Sequence, residues 1–214
     1  MQATSLRDDR PFIGRVLALL LALPTLLVAS PAVHAEPTEE EARVLVEETA
    51  ERVIAEIAEN RAAVESDPDE LLEIVDRILL PHVDSERMTR LVLGRYYRQA
   101  SPEQIRAFTR EFQRLLVRTY AGPLSELGDQ EIEITGSRAD GENELRVETE
   151  VSGGDLGTVP VAYRLVVVDG EWKSYDVVVD GISLVNNYRG SFAQKVQRDA
   201  LDSLVRTLRE QNEE

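Results

Sequence analysis

Groups able to carry out covalent or metal chemistry are scarce in this chain. It has no cysteine and two histidines, His34 and His82. His82 follows Pro81 and has no second His or Cys at ligand spacing, so a nitrogen- or sulfur-ligated metal site has nothing to build on. A Ser-His-Asp or Cys-His arrangement lacks its general base. Gly153-Gly154 is followed by neither the helix nor the lysine of a phosphate-binding loop.

Carboxylates are abundant: 40 Asp and Glu stand against 24 Lys and Arg, a formal net charge of −16. Asp176 and Asp180 fall on one side of a strand, two pleats apart, a spacing that can set two carboxylates about one substrate. That side also reads as the solvent-facing one, where carboxylates keep ordinary pKa values. An isomerase built on a buried acid needs Asp or Glu on the inward side among apolar residues, and the strand alternation supplies none. The sequence therefore points to no catalytic residue, no metal and no cofactor.

The elements that would position any site change character midway. Thr38 to about Glu65 carries an apolar stripe, Val46, Ala50, Val53, Ile57 and Val64, on a charged background, which predicts a helix. Asp67-Pro68-Asp69-Glu70 has the residues of a helix start, and Leu71, Ile74, Val75 and Ile78 continue it until Pro81. Asp84 caps a third predicted helix with Met88, Leu91, Val92 and Tyr96. Ser101-Pro102-Glu103-Gln104 is a capping box opening a fourth, with Ile105, Phe108, Phe112, Leu115, Leu116 and Tyr120; Ala121-Gly122-Pro123 should stop it.

Beyond it the period becomes two. Glu131–Ile134, Leu145–Val151, Val159–Val168 and Trp172–Val179 are strand candidates, with Asp169-Gly170 as a tight turn. Val161, Tyr163, Leu165 and Val167 share one side of their strand; Tyr175, Val177 and Val179 share one side of theirs. Ser191 to Arg209 returns to helix. The fold class is α+β: a helical N-terminal half and a C-terminal helix packed on a curved four-stranded antiparallel sheet. The buried side of that sheet should meet the helix bearing Phe112, Leu116 and Tyr120.

Residues 1–35 read as a secretory leader: Arg7, Arg10 and Arg15, an apolar run from Val16 to Ala29, and Val33-His34-Ala35 at the cleavage point. Cleavage leaves residues 36–214 as a single domain, about 38–122 helical and about 130–210 sheet plus last helix. Its charge is near −17, from 21 basic and 38 acidic residues. Such a chain is not steered to nucleic acid or anionic surfaces. With no cysteine to lipidate and no later apolar run near the roughly 20 residues of a membrane span, the processed chain is expected to be free in the periplasm.

Three blocks resemble the MlaC family, also called the toluene-tolerance auxiliary family. The first is LLEIVDRILLPHVDSERMTRLVLGRYYRQASPEQ, beginning at Leu71. The second is FTREFQRLLVRTYA, Phe108 to Ala121, and the third WKSYDVVVDGISLVNNYRGSF, Trp172 to Phe192. They keep the family's order and nearly its spacing; Gly122 to Leu156 agrees only in strand pattern. The resemblance implies a cystatin-like, nuclear-transport-factor-like sheet with phospholipid acyl chains inserted between sheet and helices. It implies a periplasmic shuttle that maintains outer-membrane lipid asymmetry, with phospholipid as cargo. The implied partners are an inner-membrane ABC-transporter complex with a lipid-binding ring protein and an outer-membrane lipoprotein–porin complex.

On that reading the candidate cavity wall is Leu116, Tyr120, Val147, Val151, Val161, Tyr163, Leu165, Tyr175, Val177, Val179, Ile182 and Leu184; each is equally a candidate for ordinary core packing. Gly181 and the segment Asn186-Asn187-Tyr188-Arg189-Gly190 read either as a hinge at the cavity mouth or as a turn, and Arg189 as a partner for a lipid phosphate or for surface acid.

Overall fold

Capping side chains set where the helices begin. Thr38 opens α1 (Glu39–Glu59): its hydroxyl accepts from the Glu41 N–H at 3.2 Å, and the Glu41 carboxylate accepts from the Thr38 N–H at 2.6 Å. This reciprocal pair satisfies two otherwise orphaned donors. The helix expected to reach Glu65 breaks at Asn60, whose φ of −110° and ψ of 18° leave the helical region, and α2 (Arg61–Ser66) follows. Asp67 caps α3 (Pro68–Ile74) through the Asp69 N–H at 2.9 Å. A π turn, Val75–Leu79, and a 3-10 turn, Leu80–His82, then carry the chain round. Asp84 caps α4 (Ser85–Leu93) by accepting from the Arg87 N–H at 2.8 Å.

A second 3-10 turn, Gly94–Gln99, leads to α5 (Pro102–Ser125), where Ser101 and Gln104 form the expected capping box. α5 runs past the expected stop at Ala121-Gly122-Pro123. This structure, a computed structural model, describes residues 37–125, 130–153 and 157–213, all within the compact unit His34–Glu214. The leader predicted at 1–35 lies outside the described residues. No helix among the described residues is long and apolar enough to cross a membrane.

Five strands follow in meander order: β1 (Glu131–Gly141), β2 (Glu144–Ser152), β3 (Thr158–Val168), β4 (Glu171–Val179) and β5 (Ile182–Ser183), each antiparallel to the next. Asp169 and Gly170, with φ of 53° and 82°, make the tight β3–β4 turn. The sheet has one strand more than the four expected. Asp180 and Gly181 adopt φ of 50° and 78° and fold Ile182–Ser183 back against Val179 and Val178, so that Gly181 belongs to a tight turn between two strands. Beyond β5 the outer edge of β4 is covered by Val83, which bridges to Ser174, and by the Asp84 N–H donating to the Ser174 carbonyl at 2.9 Å. Covering an edge this way blocks further strand addition.

The last helix, α6 (Leu184–Glu213), starts seven residues before the expected Ser191 and is interrupted at Ala200. Asn186 to Gly190 is therefore helix, neither turn nor hinge. Arg189 lies over Gly94, whose added Cβ would sit 3.4 Å from the Arg189 Nε.

Three apolar clusters hold these elements. α4, α5 and α6 meet around Phe108, Phe112 and Phe192, with ring centroids 5.6 Å apart. Val53, Ile57, Val64, Leu71, Ile78 and Val117 join α1, α2, α3 and the π turn to the other side of α5. Ala42 and Val46 of α1 pack on Leu145, Val147 and Leu165 of the sheet. The helix seated on the apolar sheet face is thus α1, not α5 as expected. α5 faces helices on both sides because Phe112 belongs to the aromatic cluster and Val117 to the second core.

Candidate functional site

Strand register decides which side chains share a face. In β2 and β3 the pairs Leu145–Leu165, Val147–Tyr163, Thr149–Val161 and Val151–Val159 lie on one side. β1 adds Ile132 opposite Val151 and Ile134 opposite Thr149; β4 adds Val177 opposite Tyr163 and Val179 opposite Val161. Ile182 continues the row opposite Val179. These positions contain no Asp, Glu, Lys or Arg. Thr149, the buried polar member, donates to the Val161 carbonyl at 2.9 Å.

Cover on this apolar face is uneven. α1 buries the end at Leu145, Val147 and Leu165, and the Trp172 indole ties that end down by donating to the Thr38 carbonyl at 2.8 Å. Toward the other end Ile132, Val151, Val159, Val161, Val177 and Val179 are only half-buried, and Ile182 is 59% exposed. Tyr163 sits between the two regimes. Burial pushes its phenol up to about 12, yet the side chain keeps accessible surface.

The opposite face inverts the sequence reading. A β-bulge shifts register between Arg164 and Leu165: Arg164 pairs with Asp176, but Leu165 pairs with Ser174. Tyr175 is the extra residue, and a bulge re-aims its side chain. Its ring lies against the guanidinium groups of Arg87 and Arg164, 4.2 and 5.0 Å from the ring centroid. Its hydroxyl donates to Glu144 Oε2 at 2.6 Å, and Glu144 also pairs with Arg87 of α4. Burial, then this hydrogen bond, raises the Tyr175 pKa. Tyr175 therefore leaves the candidate wall: Val177 and Val179 share a side, but Tyr175 is on the other.

Asp176, read from the sequence as exposed, is 1% exposed. Its carboxylate accepts from the Ser183 hydroxyl at 2.6 Å and from the Val185 N–H at 3.1 Å, and Arg164 stands 3.8 Å away. Ser183 in turn accepts from the Asn186 N–H at 3.1 Å. Together they cap α6, which is why the helix starts at Leu184. Arg164 completes the brace by donating to Asp140 at 2.6 Å. Asp180 is exposed in its turn, so the two carboxylates do not form a pair.

Of the twelve candidates, the sheet brings Val147, Val151, Val161, Tyr163, Leu165, Val177, Val179 and Ile182 onto one face. Leu116 flanks the aromatic cluster on α5, Tyr120 lies further along that helix, and Leu184 is buried at the start of α6. Ile132, Ile134 and Val159 belong to the same face, and their alternation was the signal for them. His82 occupies the turn covering the β4 edge; burial, then Lys173 and Arg52, lowers its pKa. Among the described residues no cluster of His, Asp and Glu could hold a metal ion.

The molecule is an α+β protein built round an apolar platform, helix-covered at one end and open at the other, with its reverse face braced by ion pairs. The sequence model of one family, described as MlaC protein, matches residues 47–210, and the chain belongs to the MlaC family. It is similar to the toluene tolerance protein ttg2D of Pseudomonas putida, 31% identical over 188 residues covering 87% of this chain and 83% of that one. It is also similar to the intermembrane phospholipid transport system binding protein MlaC of Haemophilus influenzae, 28% identical over 172 residues, 78% of this chain and 80% of that one. Among solved structures, a phospholipid-binding protein from Ralstonia solanacearum in complex with a phospholipid superposes with a TM-score of 0.75 at 29% identity, covering 80% of this chain and 97% of that one.

Proposed function

We propose that this protein is a periplasmic carrier that holds the acyl chains of a phospholipid against the open part of the apolar sheet face. One observation carries the reading: Val151, Val161, Tyr163, Val177 and Val179 form a continuous apolar surface that the protein's own helices leave half-buried, with exposed Ile182 at its rim. Removing acyl chains from water is worth about 0.8 kcal/mol per methylene, so two long chains represent on the order of 20 kcal/mol. A carrier must offer most of that back, and a dry apolar wall does so. Val147 and Leu165 form the closed end; Leu116, Tyr120 and Leu184 are proposed to complete the wall from α5 and α6. The phospholipid seated in the Ralstonia neighbour and the transport role in the name of the Haemophilus relative support this assignment.

On this reading residues 1–35 direct export and are removed, leaving 36–214 as one lipid-binding domain. The lipid is cargo, no cofactor takes part, and the bound molecule leaves chemically unchanged. The carrier exchanges it between an inner-membrane ABC-transporter complex with a lipid-binding ring protein and an outer-membrane lipoprotein–porin complex, maintaining outer-membrane lipid asymmetry. The test is native mass spectrometry and lipid extraction of the protein purified from a bacterial host. Intact phospholipid is expected. Lysophospholipid or free fatty acid released in proportion to enzyme and time would mark a hydrolase instead. Lipid-free protein that takes up nothing from phosphatidylethanolamine–phosphatidylglycerol vesicles would overturn the proposal.

A further inference from the structure

α6 is interrupted at a single residue. Ala200 has φ of 67° and ψ of 164°, a conformation that a residue with a Cβ rarely adopts and that persists only where the surroundings enforce it. The other described non-glycine residues with positive φ, Asn143, Asp169 and Asp180, are Asn or Asp, types that tolerate the left-handed region in turns. Ala200 is neither. Nor does the local sequence ask for a break: residues 197–203 read Gln-Arg-Asp-Ala-Leu-Asp-Ser, without proline or glycine, and alanine is the strongest helix former.

Tertiary contacts bend the chain instead. Leu201, Leu204, Val205 and Leu208 are buried against Phe108, Phe112 and Phe192. Asn212 donates to the Glu111 carbonyl at 3.0 Å and to its carboxylate at 3.2 Å, and Gln104 donates to Asp202 at 2.7 Å. The break itself borders a recess of about 280 Å³ between Tyr96, Gln104, Val196 and Leu201, so the strained residue is not locked by dense packing. Local preference for a straight helix and global preference for a bent one are in conflict at one position.

We propose that Ala200 is the hinge of a segment exchange between two copies of this chain. In the exchanged dimer α6 straightens into one helix of 30 residues, about 45 Å long. Residues 201–213 then fill the groove of the second copy. The occupant is a second copy because the apolar ladder and the Asn212–Glu111 contact are specific to this segment and re-form unchanged. Both hinges lose their strain, and short strained hinges favour such exchange.

The test is light scattering after size-exclusion chromatography of the full chain refolded at high concentration and then diluted. The wild type and Ala200→Glu, a helix-compatible change at an exposed position, should give a dimer that persists on dilution, because undoing an exchange requires partial unfolding. Ala200→Gly accepts the bent conformation and weakens the straight helix. It should raise the melting temperature of the monomer and lower the dimer constant about 100-fold, a factor of about ten for each hinge. A monomer at every concentration in both wild type and Ala200→Glu would overturn the proposal, as would a dimer indifferent to Ala200→Gly.

Discussion

The two faces of one sheet do opposite jobs. The face of Val151, Val161, Val177 and Val179 is apolar and incompletely covered; the opposite face buries Tyr175 and Asp176 beside a half-buried Arg164. Alternation in the sequence suggested the reverse, apolar inward and charged outward. What the difference teaches is that charge in a strand does not by itself mean solvent. Asp176 is satisfied by Ser183 and the backbone of α6 and so can be buried, while half-buried Arg164 is held by Asp140. The apolar side is spared complete burial by α1, which covers one end of it.

The comparison predicts that stability resides mainly on the braced face and ligand binding on the open one. The largest effect should come from Asp176→Ala, which uncaps α6 and strips Arg164 of a partner. A loss of about 3 to 5 kcal/mol is expected, read by urea unfolding. Tyr175→Phe deletes one hydrogen bond to an ionised carboxylate and should cost about 2 kcal/mol. Neither should change the lipid retained per folded molecule. On the open face the pattern reverses: Val161→Asp, at a half-buried position, should cost less in urea unfolding than Asp176→Ala yet cut retained lipid at least about tenfold, or roughly 1.4 kcal/mol, by lipid extraction of the folded fraction.

Much of this was legible in the sequence, for local reasons. Asp67, Asp84 and Ser101 cap helices where their side chains predicted it, because capping needs only neighbouring backbone. Asp169-Gly170 made its turn for the same reason. The bulge at Tyr175 was not legible, since nothing local marks it: it answers to Arg87 and Glu144, distant in sequence. The early start of α6 was hidden likewise, because Asp176 caps it across a β-turn. For the candidate site, eight of the twelve residues share the sheet face; strand period alone assigns seven of them, Ile182 joins through the unexpected β5, and Tyr175 failed with the bulge.

The smallest effect concerns pH. Tyrosine in the unfolded chain ionises near 10, whereas folded Tyr163 holds its proton to about 12. The folded state thus binds more protons above 10, and its stability must fall as pH rises from 10 toward 12. Tyr163→Phe should flatten part of that slope, measured as denaturation midpoints across the alkaline range.

The central claim, that acyl chains lie on the open face and not the braced one, can be tested with two neighbouring positions. Val151 points to the open face and Glu150 to the other, and the sequence has a single tryptophan. In a Trp172→Phe background, Val151→Trp and Glu150→Trp each carry one fluorophore on one face. Loading with phospholipid brominated along its acyl chains should quench the tryptophan at 151 and leave that at 150 bright. Equal quenching at both, or stronger quenching at 150, would contradict the account.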